Sequence, residues 1–145
     1  MYNLIKLRMV RILIIFEVAM NYSKVKECVF HTVLENRIHP TAEQIFNMMK
    51  EVNPSISLAT IYRNLAKLVE EGRLKKIVGL GESDRYDANI KNHCHFYCKN
   101  CGNVYDVDID NDVIKKIQEK IPHKIDEVNF ALYGICKDCI GGNYD

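Results

Sequence analysis

The residues with which this chain can do chemistry are its six cysteines and five histidines. Most of them fall in two short stretches. One is His93-Cys94-His95-Phe96-Tyr97-Cys98-Lys99-Asn100-Cys101-Gly102, and the other is Cys136-Lys137-Asp138-Cys139. Two Cys-x-x-Cys pairs supply four thiolates, Cys98, Cys101, Cys136 and Cys139, a closed tetrahedral set for structural Zn²⁺. That set is full without the histidines, so His93 and His95 point to a second metal with carboxylate ligands. The rival uses of such cysteines are thiol redox chemistry and an extracellular disulfide framework. Two tight pairs without a clean secretory signal favour metal in a reducing compartment, and a cytoplasmic protein.

The candidates for the second metal are His39, Asp87, His93, His95 and Asp106. Imidazole with carboxylate suits Fe²⁺, Mn²⁺ or Zn²⁺ better than Ca²⁺ or Mg²⁺. In a strand, alternation places His93 and His95 on one face and Cys94 on the other, where it packs. Cys28 lies on an apolar helix face and reads as a buried thiol. His31 and His123 read as surface residues.

The elements that must position these groups follow from patterning. Val25, Cys28, Val29, Thr32 and Val33 recur at helical spacing and predict a helix over Tyr22 to Asn36. Pro40 breaks the chain, and Thr41 with Gln44 is a capping-box pattern that starts a helix running to about Val52. Ser57 caps a third helix, Leu58 to Glu71, with Ile61, Leu65, Leu68 and Val69 inward and Gly72 at its end. Thr60, Tyr62, Arg63, Asn64 and Lys67 fall elsewhere on that helix. Two helices joined by a short turn, the second bearing hydrogen-bonding residues, match a helix-turn-helix. Residues 73–78 and 85–88 form a hairpin, read as a wing whose Arg73, Lys75 and Lys76 contact phosphates. Beyond a polar hinge at residues 89–92 come strands at 93–97 and 103–109. A helix from about Asp110 is stopped by Pro122, and a last strand covers Ile125 to Ile135.

The 145 residues suffice for one domain or two small ones, and the formal charge of +1 gives no global basic field. DNA contact must therefore come from a local patch. The first nineteen residues mix Lys6, Arg8 and Arg11 with the apolar run Ile12 to Phe16. Glu17 interrupts that run, which is too short to span a membrane. A translation start at Met20 is the preferred reading over a signal peptide.

The runs HPTAEQIF, SLATIYRNL, DRYDA, HCHFYCKNCG and the terminal CKDC resemble the ferric uptake regulator (Fur) family, and most of all its peroxide-sensing branch. The likeness covers roughly Tyr22 to Cys139. It implies an α+β chain. Residues 1–19 are then expected to be a misassigned start or a disordered extension, and 20–88 a winged-helix DNA-binding domain. Residues 89–92 would be a hinge, and 93–145 a small α/β dimerisation and metal-binding domain. It implies structural Zn²⁺ on the four cysteines and regulatory Fe²⁺ or Mn²⁺ on His39, Asp87, His93, His95 and Asp106. A homodimer would place its recognition helices on a palindromic operator, with Tyr62 and Arg63 reaching bases. Thr60, Asn64, Lys67, Lys75 and Lys76 complete the expected DNA contacts. Peroxide sensors are similar to this chain in carrying Asp, here Asp87 and Asp106, where iron regulators tend to carry Glu. The ligand histidine to be oxidised would be His39 or His93.

Three other readings compete. An iron- or zinc-uptake regulator shares the fold, and Arg63 after Tyr62 resembles many iron regulators. Val113, standing where those regulators place an acidic ligand, argues against it. A non-haem iron enzyme would use two histidines and a carboxylate, yet no segment remains to bind a small organic substrate. A zinc-ribbon adaptor would bind protein only. The leading expectation is a metal-dependent repressor, not an enzyme.

Overall fold

Apolar residues at helical spacing build the first part of the chain. The computed structural model describes residues 22–141, so the expected start at Met20 and the segment 1–19 lie outside the described residues. The chain divides into two compact units. One holds the chain through Val78 together with Ser83–Ile90; the other holds Gly79–Glu82 and the chain from Lys91 onward.

In the first unit, helices α1 (Tyr22–Glu35), α2 (Ala42–Lys50) and α3 (Leu58–Glu70) precede strands β1 (Lys75–Ile77) and β2 (Arg85–Asp87). Val29 of α1, Ile45 of α2 and Ile61, Leu65 and Leu68 of α3 lose all contact with solvent. Each comes from the apolar stripe of its own helix, so the three stripes meet as one core. The Thr41–Gln44 capping box is formed in both directions, and the Ser57 hydroxyl accepts the Thr60 N–H. Helix α2 stops at Lys50, short of Val52. The Val52 and Asn53 amides both turn back to the Met49 carbonyl and close a turn.

The short hairpin β1–β2 is antiparallel, with Lys76 opposite Tyr86. A single bridge then joins Arg85 to Thr41, and the Tyr86 N–H donates to the Pro40 carbonyl at 3.1 Å. The segment before α2 is thereby laid along β2.

In the second unit, β3 (Cys94–Cys98) lies between β4 (Val104–Val107) and β5 (Ala131–Gly134). The β3–β4 pairing is antiparallel with His95 opposite Asp106, and the β3–β5 pairing is parallel. Helix α4 (Asn111–Gln118) connects β4 to β5, and a helical turn, α5 (Lys137–Ile140), follows β5.

Two expectations change here. The last strand covers only Ala131–Gly134, because the register with β3 is confined to those four residues, with one further hydrogen bond from the His95 N–H to the Phe130 carbonyl at 3.2 Å. Upstream, Ile125 and Val128 stand three apart, which breaks the two-residue period of a half-buried strand. The apolar stripe of α4 also stays near the surface: no residue of α4 is buried, and Val113 is 45% exposed. Among the described residues no helix is long and apolar enough to cross a membrane.

Candidate functional site

The four Cys-x-x-Cys sulfurs converge in the second unit. Cys98 ends β3, and Cys101 follows in a turn where the Gly102 N–H donates to the Cys98 carbonyl at 2.9 Å. Cys136 caps α5, whose first turn returns the Cys139 N–H to the Cys136 carbonyl at 2.9 Å. Parallel pairing of β3 with β5 brings the two turns side by side. All four sulfurs lie within 4.8 Å of one another, and no disulfide joins the described cysteines. A Zn–S bond of about 2.3 Å puts tetrahedral sulfurs about 3.8 Å apart. The Cys101 and Cys136 sulfurs are 3.8 Å apart, far beyond a disulfide bond of about 2.05 Å.

The local electrostatics suit a cation. The backbone amides of Cys101, first, and of Cys136 donate to Cys98 and hold its thiol well below the usual range. The Cys136 N–H lies 3.3 Å from that sulfur. For Cys139, a hydrogen bond from Asn100 acts downward, but the surrounding sulfurs outweigh it and push the thiol up. Four sulfurs this close cannot all ionise without a positive charge between them, which a bound Zn²⁺ would supply.

A second set of donors also lies in this unit. His93 Nε2 and His95 Nε2 stand 2.9 Å apart, and Asp106 Oδ1 is 3.2 Å from the first and 3.6 Å from the second. Metal–nitrogen bonds of about 2.1 Å place adjacent ligands about 3 Å apart. The His93 Nδ1–H donates to the Lys91 carbonyl at 2.8 Å. A carbonyl can only accept, so this contact fixes the tautomer and turns the Nε2 lone pair toward His95 and Asp106. Cys94 is buried and its thiol is pushed up by burial, as expected of a packing residue.

The first unit holds its own pair. His39 Nε2 is 3.5 Å from Asp87 Oδ2. The Asn89 N–H takes the other carboxylate oxygen, Oδ1, at 2.8 Å. The Arg85 guanidinium donates to the His39 carbonyl at 3.0 Å. His39 is the only described non-glycine residue with positive φ, at 51°. An L residue adopts that conformation at a cost, and the Pro40–Tyr86 and Arg85 hydrogen bonds hold it there.

The exposed side of α3 carries Tyr62 and Arg63. The Tyr62 hydroxyl donates to Glu43 Oε1 of α2 at 2.6 Å. Lys67 pairs with Glu70 at 3.3 Å, and Lys76 of β1 pairs with Asp84 at 2.6 Å. Lys75 is half-buried and Thr60 is partly so.

Residues 17–133 match the ferric uptake regulator family. The chain belongs to that family. It is a Fur-family, metal-responsive transcription regulator of α+β fold. It is similar to the peroxide-responsive repressor PerR of Staphylococcus aureus, 29% identical over 79% of this chain and 78% of the relative. Among solved structures it is similar to the Campylobacter jejuni peroxide stress regulator: 29% identity, TM-score 0.69, covering 81% of this chain and 90% of that one. The Helicobacter pylori ferric uptake regulator shares the fold, with TM-score 0.74, 22% identity, and coverage of 95% and 93%.

One expected DNA contact of this Fur-family chain needs correction. Asn64 has no exposed surface. Its amide donates to the Thr60 carbonyl at 2.8 Å, because position 64 falls on the stripe of Ile61, Leu65 and Leu68. Its side chain is not presented to a partner. Sequence reasoning also missed Glu43, the Lys91 carbonyl and Arg85. Glu43 meets Tyr62 nineteen residues on, and no local pattern announces such a pair.

Proposed function

We propose that this chain is a homodimeric, cytoplasmic repressor that binds a palindromic operator and releases it on exposure to peroxide. In this reading the first unit is a winged-helix DNA-binding domain and the second a dimerisation domain. Cys98, Cys101, Cys136 and Cys139 hold structural Zn²⁺. His39, Asp87, His93, His95 and Asp106 hold a regulatory Fe²⁺ or Mn²⁺. The observation that carries the reading is a Fur-family chain with two distinct donor sets, one of sulfur at tetrahedral spacing and one of imidazole and carboxylate. Both carboxylates proposed as ligands, Asp87 and Asp106, are Asp rather than Glu, and the shorter side chain would restrict how each could hold a metal. Likeness to two peroxide regulators at 29% identity supports the same branch. Exposed Val113, Leu132, Tyr133 and Ile140 of the second unit support a partner subunit there. The exposed Tyr62 and Arg63 of α3, with Thr60, Lys67, Lys75 and Lys76, serve the operator.

Bound Fe²⁺ would activate H₂O₂ locally. The net electron donor would be the imidazole beside it, His39 or His93: one peroxide oxygen would enter a ring C–H bond and the other would leave as water, so the ring loses two electrons and gains one oxygen atom. An oxidised imidazole is a weaker donor, so the DNA-binding state loses its preferential stabilisation. Members of the family are transcription regulators rather than enzymes, and no small organic substrate is invoked.

The test is anaerobic operator binding by protein carrying Zn²⁺ and Fe²⁺, before and after a low dose of H₂O₂, with intact mass recorded. Lost binding with one oxygen atom added to a His39 or His93 peptide is expected, and the Mn²⁺-loaded form should keep its operator. Unchanged binding and mass would overturn the peroxide reading and leave the second one, a metal-level regulator of iron or zinc uptake, which Arg63 beside Tyr62 favours.

A further inference from the structure

We propose that Glu43 sets what Tyr62 can read: by accepting the phenol proton it fixes the ring and leaves Tyr62 only acceptor lone pairs and an apolar face to offer a base edge. The inference rests on the DNA-binding reading above. It makes Glu43 a positioning residue for sequence discrimination.

Tyr62 is 46% exposed, and its hydroxyl lies 2.6 Å from Glu43 Oε1. A hydrogen bond between two exposed groups contributes little to the fold. Its consequence is directional. A phenol has one proton, and here that proton is committed to a carboxylate. Both partners stay in the states this needs. The Glu43 hydrogen bond pushes the Tyr62 phenol up to about 12. The Tyr62 hydroxyl, and then the residue's own backbone amide, hold the Glu43 carboxyl below its usual range. Glu43 is itself fixed in the first turn of α2, beside the Thr41–Gln44 box, where a negative charge is favoured.

The major groove edges of guanine (N7, O6) and the thymine O4 present acceptors. A Tyr62 without a free proton cannot donate to them. It can meet the amino groups of adenine or cytosine with its lone pairs, or a thymine methyl with its ring. Glu43 therefore acts by exclusion, rejecting acceptor edges at the base pair facing Tyr62.

The experiment uses the full chain carrying Zn²⁺ and Mn²⁺ and the duplex it enriches from a random-sequence pool. Every single base-pair substitution of that duplex is then measured. Tyr62→Phe identifies the base pair whose preference Tyr62 controls. At that pair Glu43→Ala should relax the preference by roughly five- to tenfold, the scale of one hydrogen bond. Glu43→Gln should keep it, since an amide oxygen accepts the same bond. In a Tyr62→Phe background, Glu43→Ala should change nothing there. The inference is overturned if Glu43→Ala leaves the preference intact or shifts all duplexes equally. An equal effect in both backgrounds, or a Tyr62→Phe chain with unaltered preferences, also overturns it. A wild-type chain that enriches no duplex overturns the DNA-binding reading, and the inference with it.

Discussion

Cys136 serves the sulfur cluster twice, through its side chain 3.8 Å from the Cys101 sulfur and through its amide to Cys98. Cys136→Ser keeps the amide but exchanges a thiolate for a hydroxyl that does not ionise near neutral pH. Native mass spectrometry should show the wild-type chain retaining one Zn²⁺ per subunit that the variant loses, with a lower melting temperature for the second unit. Full zinc retention would contradict assignment of this sulfur as a ligand. In the first unit, the Arg73 guanidinium beside Glu27, at 2.5 Å, holds that carboxyl below its usual range. A depressed folded pKa contributes stability above the unfolded pKa of about 4.3, and this is lost as pH falls through the lower folded value. Glu27 is 42% exposed, so solvent screens the pair and Glu27→Gln should cost only about 0.5 kcal/mol at pH 7. Urea titrations should find that difference vanishing as pH falls through the lowered folded value, and a difference that grows with acid would have the wrong sign. The four sulfurs were legible because paired spacing is local. The contact of His39 with Asp87 was proposed only among candidates, because it depends on the bridge from Thr41 to Arg85.

The three helices of the first unit were legible as elements, since each carries both an apolar stripe and a capping residue. The sheet of the second unit was less so. A strand ends where its neighbour ends, and the apolar Ile125 and Val128 lie upstream of the segment that pairs with β3. The parallel pairing of β3 and β5 likewise left no mark on the sequence, although it is what brings the Cys-x-x-Cys turns together. Gly134 is a sensitive point of that pairing. A Cβ added there would come within 3.1 Å of the Phe96 ring on β3. Gly134→Ala should therefore cost about 1–3 kcal/mol by overpacking. Gly141, where an added Cβ would meet nothing within 4 Å, provides the comparison: Gly141→Ala should change stability by less than about 0.5 kcal/mol. Equal melting temperatures for the two variants would show that β5 moves away from β3 without penalty.

At the scale of the whole molecule, two donor sets of different chemistry should give two separable metal losses. Thiolates at tetrahedral spacing bind Zn²⁺ tightly, and their release couples to unfolding. Imidazole and carboxylate ligands hold Mn²⁺ far more weakly, near the bottom of the divalent affinity order. Titrating a mild chelator into protein loaded with both metals should strip Mn²⁺ first. Operator binding should fall at that step by at least tenfold, if metal biases the DNA-binding state by about 1.4 kcal/mol or more. Helical circular dichroism should stay unchanged, because the cores of Ile45, Ile61, Leu65 and Leu68 owe nothing to that metal. Only harsher treatment should remove Zn²⁺, with loss of structure in the second unit. Salt provides a check on the same titration. With a formal charge of +1, long-range attraction to DNA is weak, and the cations Lys67 and Lys76 already stand beside Glu70 and Asp84. Binding should therefore weaken with salt in proportion to the few phosphates contacted locally, and the slope should collapse when Mn²⁺ is removed. Operator binding that survives until Zn²⁺ leaves would assign the switch to the sulfur site and deny the imidazole–carboxylate set a regulatory role.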